Sequence, residues 1–134
     1  MHLEAQIASF MRGDLFAVAG ASTDRRKYGN KVLRCYQQHG HTVVPINPNA
    51  GAVEGLTAVA SLSEIAPKLH AVSIITPPSI TEHIVEEAIR RGIQHIWLQP
   101  GAESFAAIEA CRNAKVNLIH SGPCILVVLG YSER

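Results

Sequence analysis

Five short apolar runs alternate along this chain with stretches of helical periodicity, and that alternation restricts the fold more than any other feature. Residues 15–19 run apolar up to Gly20, residues 42–46 stop at Asn47-Pro48, and residues 71–75 stop at Thr76-Pro77-Pro78. Residues 93–98 and 116–119 complete the set. Such runs lack the polar alternation of a half-exposed strand, so each reads as a strand buried on both faces. Between them, Val32, Leu33, Cys35 and Tyr36 share one face of a helix over residues 30–39. Ile80, Ile84, Val85, Ala88 and Ile89 form a second stripe that ends at Gly92. Ser61-Leu62-Ser63-Glu64 and Ser79-Ile80-Thr81-Glu82 match the capping-box pattern, and Ser104 caps a helix over residues 104–112.

Strands that alternate with helices at this spacing predict an α/β fold: a Rossmann-like, doubly wound, five-stranded parallel sheet with right-handed crossovers. The expected strand order, numbered along the chain, is 3-2-1-4-5. A length of 134 residues suits a single domain that buries its own core. Residues 1–14, with Leu3, Ile7, Phe10 and Met11 at helical spacing, read as an N-terminal helical appendage, and residues 120–134 as a C-terminal tail.

With 47% hydrophobic and 17% charged residues, the composition excludes a disordered chain. A formal charge of +1 provides no global pull toward nucleic acid or a lipid surface. The aliphatic run from Ile125 to Leu129 is far short of the roughly twenty residues that span a bilayer. The residues around Glu4 and Asp14 lack the zones of a secretory signal, so the compartment reads as cytosolic. Cys35, Cys111 and Cys124 are odd in number and widely spaced, which argues for free thiols rather than a disulfide framework or a CxxC site.

In an open parallel sheet the ligand crevice lies at the carboxyl ends of the strands where the winding reverses. For the expected order this is above strands one and four. The loop after strand one reads Gly20-Ala21-Ser22-Thr23-Asp24-Arg25-Arg26-Lys27-Tyr28-Gly29-Asn30. Gly20 and Ala21 allow close backbone approach, Ser22 offers a hydroxyl, and Arg25, Arg26 and Lys27 offer counter-charge. The helix that opens near Asn30 directs free N–H groups toward an anion. The loop therefore suits a polyphosphate; the competing reading is solvated charges beside glycines that only make turns. The strict G-x-G-x-x-G fingerprint is absent, and strand two ends Val44-Pro45-Ile46-Asn47-Pro48 without the acid that holds a ribose 2′-hydroxyl in NAD sites. The Asn47-Pro48 corner instead provides a rigid edge with neutral hydrogen-bonding groups, suited to an adenine or ribose.

These residues, taken with Thr76-Pro77-Pro78 and Trp97-Leu98-Gln99-Pro100-Gly101, resemble the small stand-alone CoA-binding domain proteins, which are similar to the CoA-binding part of the succinyl-CoA ligase α subunit. The resemblance runs from about Leu15 to Ile119 and rests on five motifs in order. It implies that Gly20, Ala21, Ser22 and the basic loop through Tyr28, Gly29 and Asn30 hold the diphosphate of coenzyme A or an acyl-CoA. It places Asn47 and Pro48 at the adenosine end, with Thr76, Pro77 and Pro78 and then Gln99, Pro100 and Gly101 along the pantetheine. Two positions depart from the family pattern. Asn49 stands where a lysine often helps neutralise the 3′-phosphate, and Pro123-Cys124 inverts the usual cysteine-proline order.

No catalytic set emerges from the sequence. His120 has no neighbouring carboxylate, His39 and His41 are a bare H-x-H, and no HExxH or EF-hand pattern occurs. A separation of four positions from His120 to Cys124 does not establish a nucleophile and its base. The expectation is a cytosolic binding module for CoA or acyl-CoA, without catalytic residues, metal, nucleic acid or membrane, compatible with a homo-oligomer. The alternatives are an NAD(P)-binding oxidoreductase or redox sensor on the same fold, and a CoA-site subunit for a separate catalytic chain.

Overall fold

A computed structural model describes residues 2–65 and 67–133. Among the described residues, seven strands and five α-helices follow one another as α1 (Leu3–Met11), β1 (Phe16–Ala19), α2 (Tyr28–Gln38), β2 (Val43–Ile46), β3 (Ala52–Val53), β4 (Leu56–Thr57), β5 (Ala71–Ile74), α3 (Pro78–Arg90), β6 (His95–Leu98), α4 (Phe105–Ala114), β7 (Asn117–Ile119) and α5 (Ile125–Leu129). β2, β1, β5, β6 and β7 form one parallel sheet in that spatial order, while β3 and β4 make a small antiparallel hairpin between β2 and β5.

The five strands of the sheet are those the apolar runs predict, and the fold is the expected Rossmann-like α/β domain. Their order differs. Renumbered along the chain it is 2-1-3-4-5, because β1 pairs on one side with β2 and on the other with β5, Phe16 opposite Ala71 and Ala19 opposite Ile74. Both orders satisfy right-handed crossovers, so the alternation of elements does not choose between them. The reversal of winding therefore falls between β1 and β5 rather than between the first and fourth strands.

Side-chain alternation divides the core into two layers. Phe16, Val18, Ala71, Trp97 and Ile119 face α1, α2 and α5, where Phe10, Val32, Leu33, Tyr36 and Ile125 meet them. Ala17, Ala19, Val72, Ile74, Ile96 and Leu98 face Leu62, Val85, Ala88, Ala107 and Cys111 on the other side. Every residue of β1 and β5 is buried, as strands covered on both faces must be.

The first and last helices, α1 and α5, are integrated into the fold. Phe10 is fully buried, with its ring 5.3 Å from Trp97 and 5.9 Å from Phe16, so α1 is part of the core rather than an appendage. Burial of that side chain contributes roughly 2–3 kcal/mol. The segment expected as a tail forms α5, whose Ile125 is buried against α2. Gln38 and Ser132 exchange two hydrogen bonds at 2.6 and 3.0 Å that fasten the chain beyond α5. Glu64 accepts from the backbone of Ala60 and Ser61, as a capping box requires, although the helix it opens is a single 3₁₀ turn, Leu62–Glu64. The second predicted box does not form. α3 begins two residues earlier with Pro78 at its first position, which proline's fixed φ favours, and buried Thr81 bonds back to the Thr76 carbonyl. Ser104 caps α4 as predicted, accepting from the Ala107 amide at 3.0 Å.

Candidate functional site

A cavity of about 520 Å³ opens at the carboxyl ends of β2, β1 and β5, where the winding reverses. Gly20 lines it, with Gly29 packed behind, and a larger residue could replace neither. Gly20 has φ +93°, and a Cβ there would lie 2.0 Å from the Ile75 carbonyl oxygen. A Cβ on Gly29 would lie 2.0 Å from the Gly20 carbonyl oxygen. The turn after β1, the end of β5 and the first turn of α2 are thus packed backbone to backbone. Lys27, the N-cap of α2, lines the cavity beside Gly20, Ala21 and Ser22. The amino end of α2, with its positive dipole and unsatisfied N–H groups, is therefore at the cavity wall.

Side chains behind the loop hold its shape. Asn47 Nδ2 donates to the Ala21 carbonyl at 2.9 Å, Asn30 Nδ2 to the Ser22 carbonyl at 2.8 Å, and Arg34 Nη2 to the Arg25 carbonyl at 2.8 Å. Arg34 Nε also donates to Asn30 Oδ1 at 2.6 Å. The Ala21, Ser22 and Arg25 carbonyls are thus engaged by protein donors, which favours an anion at the remaining surface, because a carbonyl aimed at it would repel it.

The three cations do not converge. Arg25 pairs with Glu54 of the β3–β4 turn at 2.6 Å, and Arg26 grips Asp24 at 3.0 and 3.1 Å. The Arg26 guanidinium holds the Asp24 carboxyl down to about 2. Of the trio, only Lys27 lines the cavity.

The remaining predicted residues fall into two groups. Asn47, Pro48, Thr76 and Pro77 line the cavity with Gly20, Ala21, Ser22 and Lys27, while Pro78 starts α3 behind them. Tyr28 and Gln99 stand apart. The Tyr28 hydroxyl donates to Gln99 Oε1 at 3.1 Å and lies 2.8 Å from Cys124 Sγ, and Gln99 is fully buried. Burial raises the Tyr28 phenol well above its ordinary range. Pro100 and Gly101 are exposed beyond it. Trp97 is core, its indole N–H donating to the Pro123 carbonyl at 3.0 Å.

Sequence reasoning missed the apolar wall of Ile46, Leu62, Ile80 and Ile84, and the Arg34 and Glu54 braces. Arg34 follows Asn30 by one helical turn, a legible pairing. Glu54 comes from a hairpin whose docking no local pattern reveals. His120 bonds to Ser121 at 2.6 Å, so it is not oriented by a carboxylate, and Cys124 pairs with Tyr28 rather than with His120. No described helix is long and apolar enough to cross a membrane.

A family model described as the CoA binding domain matches residues 14–130. The chain belongs to that family. This CoA-binding domain superposes on a conserved hypothetical protein of Pyrococcus furiosus at 34% identity and a TM-score of 0.80, covering 84% of this chain and 97% of that one. It matches a hypothetical protein of Pyrococcus horikoshii OT3 at 25% identity and a TM-score of 0.87, covering 95% and 89% of the two chains. A dinucleotide-forming acetyl-coenzyme A synthetase of Ca. Korarchaeum cryptofilum shares the fold at 23% identity and a TM-score of 0.69, over 78% of this chain and 25% of the synthetase.

Proposed function

We propose that this CoA-binding domain holds coenzyme A or an acyl-CoA in the crevice above β2, β1 and β5, as a cytosolic binding module without catalytic residues of its own. The observation that carries this reading is the backbone-on-backbone packing at Gly20 and Gly29, which sets the amino end of α2 beside the cavity that Lys27 lines. A diphosphate against Gly20, Ala21 and Ser22 meets N–H donors, a helix dipole and one cation together. The adenosine lies toward Asn47 and Pro48, and the pantetheine runs past Thr76 and Pro77 toward the surface at Pro100 and Gly101.

The cavity volume falls within the usual range for small-molecule sites, roughly 300–1,000 Å³. The missing acid at the end of β2 supports CoA over NAD, and the Asn47 amide there is tied to Ala21 and Asn49. The test is thermal unfolding with CoA, NAD, NADP and ATP in parallel. A ligand at a hundred times its dissociation constant adds about 2.7 kcal/mol. The expected result is a rise with CoA that weakens with salt; stabilisation by NAD alone overturns the reading.

A further inference from the structure

The amino end of the sheet, opposite the crevice, carries a cluster of groups that binding does not use. The imidazoles of His70 and His95 stack with centroids 4.3 Å apart, and the Phe10 ring meets His95 edge-on. Gly13 makes room for this pair, because a Cβ there would lie 2.0 Å from the His70 ring. His70 Nε2 bonds to the Ser9 carbonyl of α1 at 3.1 Å. Asn117 Nδ2 lies 2.9 Å from the Gln6 carbonyl of α1 and 3.0 Å from His95 Nδ1. Gln6 Nε2 completes the seam by donating to the Leu118 carbonyl at 2.8 Å.

These contacts specify the protonation state of His95. A carbonyl only accepts, so the Asn117 nitrogen must face Gln6; His95 Nδ1, on the same nitrogen, must then accept and carry no proton. Asn117 Oδ1 is left buried without a hydrogen-bond partner among the described residues. A proton added to Nδ1 would set donor against donor. The amide relieves this only by turning, which matches Oδ1 to the new N–H but sets the amide oxygen against the Gln6 carbonyl.

We propose that α1 is held by a proton-released latch: protonation of His95 at Nδ1 breaks the Asn117–Gln6 bond and loosens Leu3–Met11 against β6 and β7. The charged groups around His95 act in both directions, the cations and His70 against its protonation and Asp14 for it. His70 stacks on it, Lys115 shares a groove with it and Asn117, and Asp14 and Lys68 line the cleft where both imidazoles appear. Burial and His70 both hold the His95 imidazole below its ordinary value. The neutral, latched form therefore prevails at neutral pH, and release accompanies a fall in pH below the usual imidazole range near 6.5.

The test is residue-resolved amide hydrogen exchange on the full chain at pH 7.5 and 5.5, corrected for intrinsic exchange, with the carbon-detected titration of His95. The expected result is a loss of protection over residues 3–11 of roughly tenfold or more, while β1 and β6 stay protected. Emission of Trp97, the chain's single tryptophan, should follow the same midpoint as His95. In His95→Asn the amide oxygen replaces Nδ1 as a permanent acceptor, and α1 should stay protected at both pH values. Unchanged protection of residues 3–11 in the wild type overturns the latch. So does loss that spreads at once through β1 and β6, a His95 midpoint that does not coincide with release, or a pH response that survives in His95→Asn.

Discussion

The two ends of this sheet are built from opposite materials. At the carboxyl end, small residues, amides and Lys27 line an open cavity together with the apolar wall of Ile46, Leu62, Ile80 and Ile84 and with Glu87, and the chain is held back from it by Asn30, Arg34 and Asn47. At the amino end, Phe10, Phe16, His70 and His95 pack ring against ring, some edge-on, and α1 closes over them. The contrast teaches that one end is shaped by what it leaves empty and the other by what it fills.

Substitutions at each end sharpen that contrast. Phe10→Ala should have the largest effect, a loss of about 3–5 kcal/mol in urea unfolding, because it empties the aromatic layer under α1. Gly20→Ala follows with about 2–4 kcal/mol, since the added Cβ meets a carbonyl and the positive φ opposes any side chain. It should also abolish stabilisation by CoA. Were Gly20→Ala silent in both measurements, the close approach at the crevice would have no part in the contrast.

Binding tests separate the cations. Lys27→Ala should weaken CoA about tenfold by calorimetry, the loss of one charge-assisted contact. Arg26→Ala should change affinity by no more than about twofold, because Arg26 is engaged with Asp24 at an exposed pair. A larger effect from Arg26 than from Lys27 would reverse the assignment of counter-charge.

The smallest expected effect is in the pH dependence of overall stability. Burial lowers both His41 and His95 relative to the unfolded chain, so both favour the folded state when neutral. Their contribution is complete above about pH 6.5 and is lost as pH falls through the folded values. The urea midpoint should therefore hold steady from pH 8 to 7 and decline from 6.5 to 5.

Much of the fold was legible because buried parallel strands and amphipathic helices each impose a local period. β1 and β5 read directly as apolar runs, and Ser104 as a cap. Of the candidate site, Gly20, Ala21, Ser22 and Lys27 and the Asn47-Pro48 and Thr76-Pro77 corners were legible and do lie together at the cavity. Arg25 and Arg26 were expected at the same place, but Glu54 and Asp24 engage them. Glu54 lies 29 residues from Arg25, and attraction between them depends on a hairpin docking that local spacing does not express.

The amino-acid order alone determined the element types, the class of sheet and the turn chemistry at the crevice, because these follow from backbone sterics and side-chain period within a few residues. Tertiary structure alone decided that β5 lies beside β1, that α1 and α5 belong to the core, and which cation faces the cavity. Those outcomes depend on surfaces that meet only after the chain has folded, and distant partners compete there on packing and charge rather than on local preference.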